Sequence, residues 1–245
     1  AMAAGLLLAT VPVLRYREPP RAPAAAAEAT VPFLAALRGF LARPGAAAWL
    51  GVLLCYKTFD ALPSRMVGPM LVKRGYDIEA IGSVLGTLGS VAALVGAVLA
   101  AWWMRRLARV PALLIFGLLQ LAAVSLYLLP AAGIGDLTLL YVAVGADELF
   151  GTVATVALFA TMMDACRPGW AATDYTVQAC LVVVATGASA AVGGFVAARL
   201  GFTGLFAVTS GLTLLGWFVA RHLLRRGVLD RLQAPEPLAP VPGSV

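Results

Sequence analysis

Charge is scarce in this chain. Only 12% of its 245 residues are Asp, Glu, Lys or Arg, roughly half of what a soluble domain of that size uses to cover its surface. Histidine is reduced to His222, so there is no His-Glu-x-x-His zinc helix and no ready base for a nucleophile. An enzyme working inside a membrane would need one or the other, and none is expected. Cysteine is limited to Cys55, Cys166 and Cys180, an odd and unpatterned set beside apolar runs that argues against a disulfide framework. A Gly-rich phosphate loop and a basic-aromatic surface are also missing. The net charge of +6 therefore points to no nucleic acid, and no cofactor or metal is expected.

What is abundant is apolar sequence: 61% of residues are hydrophobic and the mean hydropathy is +0.91. A membrane span takes about 20 apolar residues to cross ~30 Å of hydrocarbon. Six stretches qualify, at approximately 46–70, 79–103, 111–133, 137–163, 174–198 and 203–223. The opening run, Ala1–Leu14, would reach only ~21 Å as helix and is expected to be the truncated end of a span. A signal peptide is the competing reading. It would need a positive leading region, and the arginines that follow are poorly suited to export.

The expected domains are thus 1–14, the truncated span; 15–45, a cytoplasmic connector; 46–226, a six-helix transmembrane bundle; and 227–245, a disordered cytoplasmic tail rich in Pro. Within the connector, Pro32, Phe33, Leu34, Leu37, Phe40 and Leu41 fit one face of a short helix lying on the membrane. Placing the connector inside assigns Arg15, Arg17, Arg21, Arg38, Arg43, Arg105, Arg106, Arg109, Arg167, Arg221, Arg225, Arg226 and Arg231 to the cytoplasm. Only Lys73, Arg74 and Arg199 then lie outside. That imbalance is the positive-inside signature, and it puts the C-terminus in the cytoplasm.

Charges within spans are the informative residues, because each costs roughly 2.5–3.5 kcal/mol at mid-bilayer unless paired or hydrated. The first span carries Lys57, Asp60 and Arg65 in YKTFDALPSR, and the fourth carries Asp147 and Glu148 in GADELFG. The other four spans have no charge in their middles. Lys57 and Asp60 are i,i+3 neighbours on one helix face. The group reads as a polar substrate or proton path, or else as an ion-pair cluster that locks two helices. Pro63 and the Gly68-Pro69 pair would kink or interrupt the first span, freeing backbone groups near mid-membrane. At the inner end, Thr173 and Asp174 are candidate N-caps. Asp164, Arg167 and Asp174 form either a gating latch or simple solvated caps. Gln178 reaches the cavity or makes an interhelical hydrogen bond. Trp102 and Trp103 read as an interfacial belt, and His222 as an interfacial residue.

Small residues follow a different rhythm. Gly82, Gly86, Gly89 and Gly96 fall on the second span, and Gly187, Ser189, Gly193 and Gly194 on the fifth, where they permit close helix approach. Charges on spans one and four with glycines on spans two and five repeat every three helices. That triplet rhythm resembles the major facilitator superfamily, whose six-helix halves are each 3+3 repeats. The resemblance implies an all-α integral membrane fold: the six-helix C-terminal bundle of a 12-helix transporter, preceded by the end of helix six. The segments LLCYKTFDAL, GPMLVKRGYDIEAIGSVLG, ALLIFGLLQ and GTVATVALFATMMDACRPGWAATDYTVQA resemble its AmpG-like branch. That branch includes muropeptide permeases, acetyl-coenzyme A transporters and bacterial siderophore importers. SRMVGPMLV and MMDACRPGWAATDYTVQ look closest to the siderophore importers.

The resemblance implies a secondary active transporter of the bacterial inner membrane, importing a siderophore or similar polar solute on the proton gradient. A peptidoglycan-fragment permease is the alternative, and a non-transporting sensor on the same fold a further one. Lys57, Asp60, Arg65 and Gln178 are the expected substrate contacts, with Asp147 or Glu148 carrying the coupling proton. The expected partners are a small-molecule substrate, protons, the lipid bilayer and the N-terminal half of the same transporter.

Overall fold

A computed structural model describes residues 33–233, and the elements in them are helices. The expected truncated span Ala1–Leu14, the connector as far as Pro32 and the tail from Ala234 lie outside the described residues.

Four helices are long and apolar enough to cross a membrane: Ile78–Trp103, Arg109–Ala131, Leu137–Asp164 and Ala171–Arg225. The last has 55 residues, which as straight helix would be about 80 Å, far beyond a ~30 Å hydrocarbon core. It does not run straight. Gly201 has φ 69° and ψ 178°, a region essentially restricted to glycine, and the chain turns back there. Val182 before that turn and Leu224 after it join one buried cluster with Trp49, so both arms return to the same end of the bundle. The first span is also interrupted: helix Ala46–Ser64 stops and a second helix, Val67–Lys73, begins. Pro63 and Pro69 lack the N–H groups that would bond the carbonyls four residues back. Counting the interrupted first helix and both arms of the long one, the described residues make six helical passes along the bundle.

Packing among the passes is reciprocal. Ser189 of the fifth donates to the Thr58 carbonyl of the first at 2.9 Å, and a Cβ on Gly193 would stand 3.4 Å from the Leu62 carbonyl oxygen. The second and fourth meet in the same way, where a Cβ on Gly96 would stand 2.5 Å from the Leu149 carbonyl oxygen. The third and sixth join through the Trp217 indole, which donates to the Leu114 carbonyl at 2.8 Å, and through Thr203 to the Ala131 carbonyl at 2.6 Å. First-with-fifth, second-with-fourth and third-with-sixth is the exchange expected of two three-helix units facing one another.

Asp136 and Asp77 start helices by accepting from the Leu139 and Ala80 amides. After the α-helical turn Ile78–Ile81, the second pass continues as a π-helical stretch, Gly82–Leu88, a form that recurs at functional sites.

One end of the bundle is closed by a charged clasp. Arg167 grips the buried Asp174 with Nε at 2.9 Å, Nη2 at 2.7 Å and its backbone N–H at 3.0 Å. Arg43, just after the helix Phe33–Leu41, lies 4.0 Å from the same carboxylate and donates to the carbonyls of Ala165 and Leu232. Asp174 is therefore no N-cap: its helix begins at Ala171, and its charge is used by two arginines. Asp164 takes no part in this clasp and pairs with Arg109. Val228–Gln233, expected as the start of a tail, is a helix that buries Val228, Leu229 and Leu232, apolar positions spaced to share one face.

Candidate functional site

Two apolar clusters divide the bundle along its length. One gathers Phe40, Trp49, Leu53, Phe116, Val153 and Leu158 near the clasp. The other gathers Val67, Met70, Tyr127, Val144 and Phe206 at the far end. Between them lies a polar belt, built from the stretches of the first, third and fourth passes that fall between these apolar residues. Depth alone therefore brings Lys57 and Asp60, Gln120, and Asp147 and Glu148 to a common level.

The contacts in the belt are specific. Lys57 Nζ lies 2.8 Å from Asp60 Oδ2 and donates to Thr155 Oγ1 at 2.8 Å. Gln120 Nε2 donates to Asp60 Oδ1 at 2.6 Å and to Asp147 Oδ1 at 2.8 Å. Two carboxylate oxygens on one atom identify it as the amide nitrogen, since both must be given protons. The other oxygen of Asp147 accepts from the Tyr127 hydroxyl at 3.0 Å and from Ser64 Oγ at 3.2 Å. Asp147 is only 4% exposed and Gln120 3%. Beside them opens a cavity of about 250 Å³, lined by Asp60, Ser64, Gln120, Asp147, Glu148, Gly151, Thr152, Thr155 and Val156.

The three acids are held differently. Asp60 has a cation. Asp147 has only neutral donors, and burial of an ion without a counter-ion is expensive. Glu148 is half-buried at the cavity edge, its Cγ 3.4 Å from where a Cβ on Gly89 of the second pass would stand. A hydrogen-bonded cavity of this kind, at mid-bundle in a wall of apolar helix, can hold a polar solute or exchange protons.

Four of the expected site residues meet here: Lys57, Asp60, Asp147 and Glu148. Arg65 does not. It is exposed at the break in the first pass and is not among the cavity-lining residues, because one step along the helix from Ser64 turns it away. Gln178 does not either. It is fully buried near the clasp, where it accepts from the Trp49 indole at 2.7 Å and donates to the carbonyls of Met162 and Asp174. Gln120, Tyr127, Ser64 and Thr155 are functional candidates that a search for charge passes over. Gln120 carried a signal: it is the lone amide in the apolar run ALLIFGLLQLAAV. No group of three or more His, Cys, Asp and Glu able to hold a metal ion occurs among the described residues.

The fold and its buried polar belt define a multi-pass α-helical membrane protein. No family model matches the chain. Over 152 residues it is 34% identical to the anhydromuropeptide permease of Escherichia coli (strain K12), a match covering 62% of this chain and 31% of that relative. It is also similar to the putative transporter AmpG 1 of Rickettsia bellii, at 24% identity over 66% of this chain and 40% of that protein. The protein of the same name from Rickettsia prowazekii is 23% identical over 66% of the chain and 37% of its own length. The matched region thus spans between about a third and two-fifths of these relatives.

Proposed function

We propose that the chain forms one cavity-bearing half of a secondary transporter, of the AmpG-like branch of the major facilitator superfamily, and that its substrate is a muropeptide. The observation that carries the transporter reading is the cavity at the polar belt, where charged and amide side chains from three passes converge inside an apolar bundle. The substrate reading rests on the similarity to a permease named for anhydromuropeptides. It displaces the siderophore reading, which rests on motif wording alone.

In this scheme the N-terminal half of the same protein completes the cavity, and the two halves rock about it in the bacterial inner membrane. Lys57 and Asp60 meet polar groups of the substrate, and Asp147 takes up the driving proton. The test is uptake of a labelled anhydromuropeptide by cells making the complete protein, with and without a protonophore, beside a panel of ferric siderophores. Protonophore-sensitive muropeptide uptake is the expected result. Uptake of a ferric siderophore alone would reinstate the earlier substrate. Movement of neither, with the protein present in the membrane, would sink the transporter reading.

A further inference from the structure

The Gln120 amide is only half used. Its nitrogen serves two carboxylates, one from the first pass and one from the fourth. Its oxygen is buried and accepts nothing from the described residues. A buried amide oxygen without a donor is unfavourable, so this arrangement suits one state of its neighbours and invites another. Gly151 lies alongside: a Cβ there would stand 3.2 Å from both Oε1 and Nε2, so glycine is what leaves the amide room to turn.

We propose that Gln120 is a positioning residue that reports the protonation of Asp147 to the Lys57–Asp60 pair by turning its amide end over end. With Asp147 ionised, Nε2 bridges the two carboxylates as observed. When Asp147 takes a proton on Oδ1 from a hydronium ion in the cavity, leaving water behind, the new O–H meets only the Nε2 donor in that arrangement. A half-turn of the amide brings Oε1 to face it as acceptor and turns Nε2 toward Gly151 and the cavity, where water or solute takes its protons. The same half-turn sets Oε1 in place of Nε2 against Asp60 Oδ1, where two acceptors repel, and Asp60 keeps Lys57 as its partner. A proton arriving on the fourth pass thus loosens the first pass from the third, beside the cavity wall. The groups facing this exchange are Lys57, Asp60 and Tyr56 from the first pass, Tyr127 from the third, and Glu148 from the fourth.

The inference rests on the transporter reading, and one experiment separates them. The complete protein is tested for uptake of a labelled anhydromuropeptide from acid to alkaline pH as wild type, Gln120→Met, Asp147→Asn and the double variant. Met keeps the length of Gln and removes both polar atoms. The expected result is that Gln120→Met loses the acid-stimulated part of uptake by roughly tenfold, less than the 10²–10⁴ of a group that itself carries the proton. The double variant then falls no further than Asp147→Asn. A wild-type pH profile in Gln120→Met, or losses that multiply in the double variant, would overturn the inference and leave the transporter reading intact. Should Gln120→Met fail to reach the membrane, Gly151→Ala keeps the amide but crowds its turn, and the same flattening of the profile is expected. An unchanged profile there counts equally against the inference. If the wild type moves no solute, the transporter reading fails and this inference falls with it.

Discussion

At the scale of single residues, the acids of the belt differ in their partners. Asp60 is tied to Lys57, and Asp147 sees only neutral donors. Removing Lys57 leaves a partly buried carboxylate without its cation, a change that costs about 3–5 kcal/mol when one partner of a buried pair is lost. Lys57→Met is therefore expected to lower the thermal stability of the purified protein, and Lys57→Met with Asp60→Asn to restore most of it. A double variant no more stable than the single one would show that the pair is not what makes Lys57 necessary. Asp147→Asn keeps the side-chain shape and removes the exchangeable proton. Gradient-driven uptake should fall by about 100-fold or more, with the protein still folded.

Legibility at this scale follows cost. Lys57, Asp60, Asp147 and Glu148 could be read because charge is so unfavourable in an apolar run that it advertises itself. Arg65 misled because proximity in sequence is not proximity on a helix. Gln178 misled because an amide serves structure and function equally well. Gln120 escaped notice because its importance lies in what two other helices bring to it, which no single segment records.

At the scale of elements, the six passes were legible from hydropathy and charge, and close approach through small residues was expected on the second and fifth, but which of those residues meet a neighbour was not. Apart from Gly89, which faces the Glu148 side chain, the glycines on the second and fifth passes divide into two sets. Gly96 and Gly193 lie against backbone of the fourth and first passes, whereas Cβ atoms on Gly82, Gly86, Gly187 and Gly194 would meet nothing within 4 Å. Gly96→Ala would press a methyl into the Leu149 carbonyl, and overpacking of this kind costs about 1–3 kcal/mol. A matching drop in resistance to thermal unfolding is expected for Gly96→Ala, while Gly187→Ala leaves it unchanged. Equal effects at both positions would contradict the packing described. The start of the fourth pass adds a pH effect of known sign. The Asp136 carboxyl is held below its ordinary value, chiefly by the Leu139 N–H. Its contribution is present above the ordinary carboxylate range and is lost as pH falls through the lowered value.

At the scale of the whole molecule, the open glycines leave a surface whose neighbour can be tested. Around them the second pass exposes Val91, Leu94 and Val98, and the fifth exposes Val183, Val184 and Phe195. Lipid would accept such surfaces, since tails are as apolar as they are, but lipid gives no reason for small residues. Close approach of another helix does. Gly86→Trp discriminates between the two. Among the described residues nothing lies within 4 Å of a Cβ at this position, so a lipid-facing position would tolerate an outward ring in both stability and uptake. If the second pass instead meets the N-terminal half, as the transporter reading requires, Trp holds the two halves apart. Uptake by the complete protein is then expected to fall by at least an order of magnitude, because misplacing a site by about 1 Å can cost 10²-fold. Thermal stability of the six-pass bundle should stay within about 0.5 kcal/mol of wild type, the usual range for an outward substitution. Loss of uptake with an intact bundle would mark this face as the contact between halves. Full uptake would return it to the lipid and remove the strongest structural argument for a two-half protein.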